Sequence, residues 1–462
     1  MSCTLLLAAA LGSAPSLALP AVPRTLRLEL VHAGDATQEH FAYAGLVREG
    51  EWPGNPARPI DDTNLGRYLL EVRDAASSRL LYSRGFASIY GEWETTDEAK
   101  QRWRAFPESL RFPEPSGPVQ VAIRERGRDG LFREVWTLAV DPGDPAIDRS
   151  PSTGKAWAVM ENGPPAEKVD LVLLGDGYTE AEMEKWHRDA RRLTEILFST
   201  SPFKERRGDF NVWAVDTPSP ESGVSRPSEG VYRRSALRAS YDAFGSERYV
   251  LSFDDERVRE AAAAAPYDVM EIVVNGRKYG GGGIFNLYAT VASDNAFTPY
   301  VFVHEFGHHF AGLADEYYTS DVAYGPASPE RPEPWEPNAT ASATRPKWKD
   351  LVTSGTALPT PWSKEAFEAA QEEIQARRRK IRAEKRPEEE MEALFREEQQ
   401  RMDALLAQGP YARSVGAFEG ALYEAKGYYR AQANCIMFTR HTEFCAACRR
   451  AIERIIELYT GR

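Results

Sequence analysis

Residues 298–318 read TPYVFVHEFGHHFAGLADEYY. Thr298 suits a helix N-cap, and Pro299 suits the first helical position, where a missing N–H removes nothing. Gly312 suits a C-terminal stop. Together these signals predict a helix over 299–311. His304 and His308 stand four residues apart, which places them one above the other on one face. Two imidazole nitrogens so placed can both reach one metal ion at roughly 2.0–2.1 Å. Glu305 lies one step round the helix, where it can reach a water on that ion. This is the HExxH spacing, and it points to zinc and hydrolysis. Such an ion lowers the pKa of its water toward about 7 and polarises a carbonyl. Glu305 is then the expected general base.

The surroundings strengthen the pattern. Three of the chain's seven histidines fall at 304, 308 and 309. Two stacked histidines around a glutamate are costly to bury without a purpose. A third ligand is expected among Asp315, Glu316 and His441; Asp315 leads because the segment resembles metzincins, which place that ligand, normally a histidine, three residues after a helix-ending glycine, and a carboxylate oxygen is an accepted zinc donor. His309 points away from His304 and His308 and is expected to hold or pack against the site. Met437, in Asn434-Cys435-Ile436-Met437-Phe438, looks like a Met-turn packed beneath a metal site, or else an ordinary core methionine.

Outward from this segment the chain has 462 residues, 42% apolar and 27% charged, an ordinary globular composition with room for two or three units. A net charge of −12 argues against nucleic acid as the main partner. No apolar run after the N-terminus is long enough for a membrane span. The first twenty residues, MSCTLLLAAALGSAPSLALP, are apolar and uncharged. Ser16-Leu17-Ala18 suits signal cleavage, although the basic n-region is missing. Residues 1–21 are therefore expected to be a signal peptide, and the protein to be secreted, periplasmic or at the cell surface.

From 24 to 142 short alternating segments, such as Thr25–Leu30, Arg67–Val72 and Val119–Ile123, predict an antiparallel β-sandwich. His32 and His40 are isolated there and are expected to be solvated or hydrogen-bonded. Residues 143–166, rich in Pro, Gly and Asp, are expected to be a linker. From 167 to 462 strands such as Val169–Leu174, Phe210–Val215 and Val269–Val274 alternate with helices, one of them capped by Thr179, which indicates an α/β catalytic domain. Gly280–Gly283 reads either as the start of an edge strand beside the active site or as a flexible loop. The charged stretch 363–406 suits a pair of exposed helices inserted into that domain. Its Arg377-Arg378-Arg379-Lys380 run is interleaved with acids and reads as a solvated face.

Four cysteines are present. Cys3 lies in the expected signal, leaving Cys435, Cys445 and Cys448. In an exported chain this predicts one disulfide, from Cys435 to Cys445 or Cys448, and one free thiol. A zinc-ribbon or redox reading of Cys445-x-x-Cys448 lacks a second cysteine pair and a following βαβ unit.

The segments HEFGHHFAGLADEYY, VGAFEGALYEAKGYYR, NCIMF and FCAACRRAIERI together resemble the bacterial IgA-peptidase family of metallopeptidases. KVDLVLLGDGYTEAEM and KYGGGGIFNLYA look like that family too, and the likeness spans the chain from about residue 25. The resemblance implies an α+β and α/β multidomain protein, with an N-terminal β-sandwich followed by a metzincin-like catalytic domain carrying a helical-hairpin insertion. It also implies zinc, a polypeptide substrate and secretion. By position it implies His304, His308 and Asp315 as metal ligands and Glu305 as catalytic base. Immunoglobulin A is a candidate substrate on the family's name alone. Thr439 stands two residues after Met437, where some metzincins carry tyrosine; Tyr317, Tyr318, Tyr428, Tyr429 and Arg430 are unranked substitutes. Two other readings compete: a surface binding protein with a structural metal site, and a zinc hydrolase of a non-peptide amide. Oligomeric state has no signature in the sequence.

Overall fold

The structure, a computed structural model, describes residues 23–319 and 331–461. The expected signal peptide and Cys3 lie outside the described residues. Among the described residues no helix is long and apolar enough to cross a membrane.

The N-terminal region forms two antiparallel sheets. One takes β1 (Arg24–Gly34), β2 (Glu39–Glu51) and β5 (Arg104–Pro113) in the order β2-β1-β5. The other takes β3 (Tyr68–Asp74), β4 (Leu80–Phe86), β6 (Val119–Arg126) and β7 (Phe132–Val140) in the order β4-β3-β6-β7. Leu26, Leu28 and Leu30 of β1 alternate inward, as a two-residue period requires, and meet Leu70, Val72, Val121 and Ile123 in one core. The short helix α1 (Ile89–Trp93) follows β4, its N-terminus capped by the Ser88 hydroxyl. His32 is hydrogen-bonded but not solvated. Its ring stacks between Phe41 and Tyr90, and its nitrogens meet Glu108 at 3.1 Å and Glu39 at 3.0 Å.

The second region is built on a six-stranded sheet. It contains β8 (Lys155–Met160), β9 (Val169–Asp176), β10 (Phe210–Asp216), β11 (Val269–Val274), β12 (Gly281–Ile284) and β13 (Tyr288–Ala292), in the order β12-β13-β11-β9-β10-β8. The four inner strands are parallel and both edges antiparallel. All eight residues of β9 are buried, as expected of a strand covered on both faces. Val169, Leu171 and Leu173 face one core, while Val172 and Leu174 face the other. The first core holds α2 (Met183–Leu197), α4 (Thr298–Ala311) and α7 (Ala446–Thr460); the second holds α3 (Asp255–Ala262) and the N-terminal region's α1.

Three expectations need correction. Within 143–166 lies the edge strand β8, so this stretch is not only a connection. Thr298 is the first residue of α4, not its cap; its hydroxyl donates to the Ala292 carbonyl at 2.6 Å and ties the helix to β13. The charged helices α5 (Lys364–Ala383) and α6 (Glu388–Leu406) are not simply exposed. Phe367, Ile374, Met391, Phe395 and Met402 form stripes at helical spacing that enter the first core. Thr179 does cap its helix, through a short 3₁₀ turn. Its N–H and hydroxyl both donate to Glu182, at 2.9 Å each. A last small sheet joins β14 (Ala339–Thr340), β16 (Glu424–Arg430) and β15 (Phe418–Ala421).

Candidate metal centre

Helix α4 carries His304, Glu305 and His308 along the side that faces β12 and the loop after Gly312. Gly312 ends the helix with φ 59°, and its N–H reaches the His308 carbonyl at 3.0 Å. That left-handed turn sends the chain back under the helix. Asn338 fixes the returning strand by bonding both the N–H and the carbonyl of Ala314, at 2.7 and 2.9 Å. The Glu316 N–H donates to the Met437 carbonyl at 2.8 Å. Asp315 is thereby held facing the two imidazoles.

The imidazole tautomers are set by what each Nδ1 meets. His304 Nδ1 lies 2.9 Å from the Ile436 carbonyl, and His308 Nδ1 lies 2.5 Å from the Leu313 carbonyl. A carbonyl can only accept, so each Nδ1 carries a hydrogen and each Nε2 is the nitrogen left to take a proton or a metal ion. The two Nε2 atoms are 3.2 Å apart, and Asp315 Oδ1 is 3.1 Å from one and 3.2 Å from the other. Two imidazole nitrogens and a carboxylate oxygen at such distances are stable with a proton or a metal ion between them. Tetrahedral zinc with bonds near 2.05 Å separates its ligands by about 3.3 Å. The triangle therefore has the size and donor set of three of four zinc positions. Asp315 Oδ1 is buried without another hydrogen-bond partner, which fits an oxygen directed at an ion.

The electrostatics agree. Burial alone would raise the Asp315 carboxyl, but the two imidazoles overcome it and hold it well below the usual range. Burial pulls His308 down, but Asp315 and Glu305 outweigh it and lift His308 to about 9. Both shifts express one fact: the point between these atoms is suited to positive charge. Glu305 comes within 4.8 Å of both imidazole nitrogens, and burial raises its carboxyl above the usual range, helped by Asp315.

Two residues at the site had no signature in the sequence. Tyr423 donates its hydroxyl to Asp315 Oδ2, which turns Oδ1 toward the imidazoles. Tyr423 sits with Leu422 in the two-residue turn between β15 and β16, at φ 62° and 53°. Neither is a residue that favours positive φ, and each costs about 1–3 kcal/mol there. The turn is held by Leu422 N–H on the Asp315 carbonyl (2.9 Å) and Tyr423 N–H on the Tyr317 carbonyl (3.0 Å). Arg248 donates to the Tyr317 hydroxyl at 3.1 Å. Of the tyrosines singled out in the sequence, Tyr317 lines the cleft over α4. Tyr428 instead bonds the Pro332 carbonyl, and Arg430 is wholly buried among carbonyls and rings.

That cleft, about 390 Å³, runs past Tyr249, Tyr279, Gly281, Gly283 and Tyr423, and the N-terminal region supplies Glu92, Glu94 and Thr96 to one wall. The glycine run is an edge strand, and its lack of side chains is a packing requirement. A Cβ on Gly283 would fall 2.3 Å from the Glu305 carbonyl oxygen, and one on Gly281 2.6 Å from Val301. Most of the strand's outer edge is already bonded, however. Gly281 exchanges hydrogen bonds with Arg248 and Val250, both at 3.1 Å, and the Phe285 carbonyl accepts from Ala87 at 3.0 Å. An extended chain laid along all of β12 is therefore not accommodated. Among the described residues, Gly283 is the strand's one outward-facing position with no backbone partner.

The remaining candidates fall elsewhere. His309 accepts from the Met270 N–H at 3.1 Å and donates to the Ile284 carbonyl at 3.1 Å, and burial drives it down to about 3. It is a neutral bracket between α4 and the sheet. His441 pairs with Asp403 of α6 at 2.9 Å, so it does not join His304 and His308. Glu316 turns away toward the cysteines. Met437 is fully buried, and its sulfur lies 3.3 Å from where Gly307 would carry a Cβ, directly beneath α4. The expected disulfide is not formed. Cys435 and Cys445 stand 3.8 and 3.4 Å from Cys448, sulfur to sulfur, against about 2.05 Å for a bond.

The family model described as IgA Peptidase M64 matches residues 157–456, and that of the Peptidase M64 N-terminus matches residues 20–137. No match was found among curated proteins.

Proposed function

The chain belongs to the IgA peptidase M64 family, and from that premise we propose that it is a secreted, zinc-dependent endopeptidase with Glu305 as its general base. Family membership makes it a peptidase, and so a protein that acts on polypeptide. One observation carries the finer reading: His304 Nε2, His308 Nε2 and Asp315 Oδ1 converge at 3.1–3.2 Å beside the half-buried Glu305, which none of them engages.

His304, His308 and Asp315 would hold the ion, and all three line the cleft. When bound, zinc supplies Lewis-acid polarisation of the scissile carbonyl and acidifies the attacking water. Glu305 takes the proton from that water and returns it to the leaving amine. Its raised proton affinity suits both halves of that task. Tyr317, with Arg248 behind its hydroxyl, is best placed to donate to the developing oxyanion. Substrate engages the outward-facing backbone of Gly283 and the wall formed by the N-terminal region, and does not add a full strand. A purely structural zinc site closes with four protein ligands, so the unengaged Glu305 weighs against the binding-protein reading.

Export is proposed from the character of residues 1–21. Immunoglobulin A enters as a substrate to try because the family description names it. The test uses purified residues 22–462 with casein, immunoglobulin A and small amides as substrates. Cleavage of polypeptide that stops on zinc chelation and returns with added zinc is expected. Cleavage that survives complete metal removal, or hydrolysis confined to small amides, would refute the proposal.

A further inference from the structure

Four side chains converge on the far side of the Met437 segment from the catalytic cleft. Glu316, Cys435, Cys445 and Cys448 are each at most 2% exposed, and their ligand atoms all lie within 4.8 Å of one another. The closest approaches are Cys445 to Cys448 at 3.4 Å and Cys435 to Cys448 at 3.8 Å, sulfur to sulfur. Glu316 Oε1 is 3.5 Å from Cys448 Sγ and 3.7 Å from Cys445 Sγ.

Zinc with Zn–S near 2.3 Å and Zn–O near 2.0 Å has tetrahedral edges of about 3.8 Å between sulfurs and about 3.5 Å between sulfur and oxygen. The four distances match that figure and are too long for any disulfide. From these four residues we infer a second, structural metal site that holds one zinc ion.

Three further features support it. A carboxylate buried among thiols has little reason to be there: Asn338 donates to Glu316 Oε1 at 3.0 Å, while Oε2 has no hydrogen-bond partner. Backbone N–H groups point at sulfur, from Cys445 to Cys435 at 3.2 Å and from Met437 to Cys435 at 3.5 Å, as suits thiolate ligands. Cys445 occupies the N-cap position of α7 and Cys448 lies in its first turn, where the helix N-terminus favours thiolate. Three thiolates and a carboxylate around a divalent ion leave net negative charge, and the buried Arg430 guanidinium lies close enough to act on Glu316, Cys435 and Cys445.

The site explains how the catalytic ligands are held. Glu316 follows Asp315 directly, and Cys435 stands two residues before Met437. The Ile436 carbonyl between them fixes the His304 tautomer. One ion thus ties the Asp315 loop, the Met437 turn and α7 together, as a disulfide would in an exported protein. On binding, the three thiols release their protons to solvent and all four protein ligands close the site, leaving no position for substrate.

The test does not depend on turnover. Zinc is counted in the parent protein, in His304→Ala/His308→Ala and in Cys445→Ser/Cys448→Ser. Two ions per chain in the parent, and one retained in the histidine variant, are expected. The cysteine variant should keep only the ion of the histidine site. In case that variant does not fold, the histidine variant is also reconstituted with cobalt, where a near-ultraviolet sulfur-to-cobalt charge-transfer band is expected. A histidine variant that binds no metal and shows no such band overturns the site, as does a disulfide between any two of the three cysteines. Failure of the catalytic reading would appear separately, as loss of the histidine-dependent ion.

Discussion

Gly283→Ala isolates the contact on which the position of Glu305, the proposed general base, depends. The added methyl would fall 2.3 Å from the Glu305 carbonyl oxygen and 2.9 Å from His308 Cβ. The oxygen is backbone, in the residue that carries the base, so no side chain can swing aside. The backbone of Gly283 is itself within reach of alanine, so the effect is steric. Restoring ordinary contact requires α4 and β12 to part by about 1 Å, an overpacking cost of roughly 1–3 kcal/mol. A 1 Å displacement of catalytic groups costs about 10²-fold in rate, or about 2.7 kcal/mol of barrier. The control is Gly208→Ala, where nothing lies within 4 Å of the added carbon. Casein cleavage rate, zinc content and thermal midpoint are measured for both. Gly283→Ala should retain zinc, lose roughly two orders of magnitude in kcat/KM and unfold earlier, while the control stays within about 0.5 kcal/mol of the parent. Parent-like cleavage and stability in Gly283→Ala would refute the argument that α4 is seated on β12 by these glycines.

Tyr423→Phe removes the hydroxyl that orients Asp315, and should weaken zinc retention by about 10–100-fold in competition with a chelator; unchanged retention would free Tyr423 from that role. Tyr317→Phe should keep its zinc but lose about 10²–10³ in kcat if its hydroxyl meets the oxyanion, and a change in KM alone would assign it to binding. His32 gives a pH signature in the N-terminal region. Burial lowers its proton affinity, but Glu108 and Glu39 more than reverse this and raise it to about 9, above its unfolded value of 6.5. Its stabilisation, roughly 3 kcal/mol at most, is full below pH 6.5 and is lost as pH rises through 9. The stability gap between parent and His32→Gln should therefore shrink across that window, and a gap that widens would contradict it.

What the sequence made legible was local. The histidine spacing and the Gly312 stop place the two proposed ligands and the proposed base on one helix, and Asp315 is one left-handed turn away. The alternation in β1, β3 and β6 marks the antiparallel sheets. What stayed hidden depends on distant contacts. Tyr423 sits in a Leu-Tyr turn with no Gly or Asn to announce it, and it reaches Asp315 from 108 residues away. Glu316 looks like a spare alternative to Asp315 until the fold brings it to cysteines up to 132 residues further on. The apolar stripes of α5 and α6 are diluted by Glu and Arg, so composition spoke for solvent where periodicity spoke for core. The strand β8 is half exposed and follows a Ser/Pro-rich run, which made an edge strand read as a linker.

The proposed mechanism places an ion at His304, His308 and Asp315 that works through Glu305. Its most direct test is a paired measurement on the parent and Glu305→Gln, of the zinc bound and of the rate of casein cleavage. Equal zinc is expected in both proteins, with turnover in the parent only. Cleavage by Glu305→Gln at the parent's rate, or absence of the histidine-bound zinc from an active parent, would contradict it.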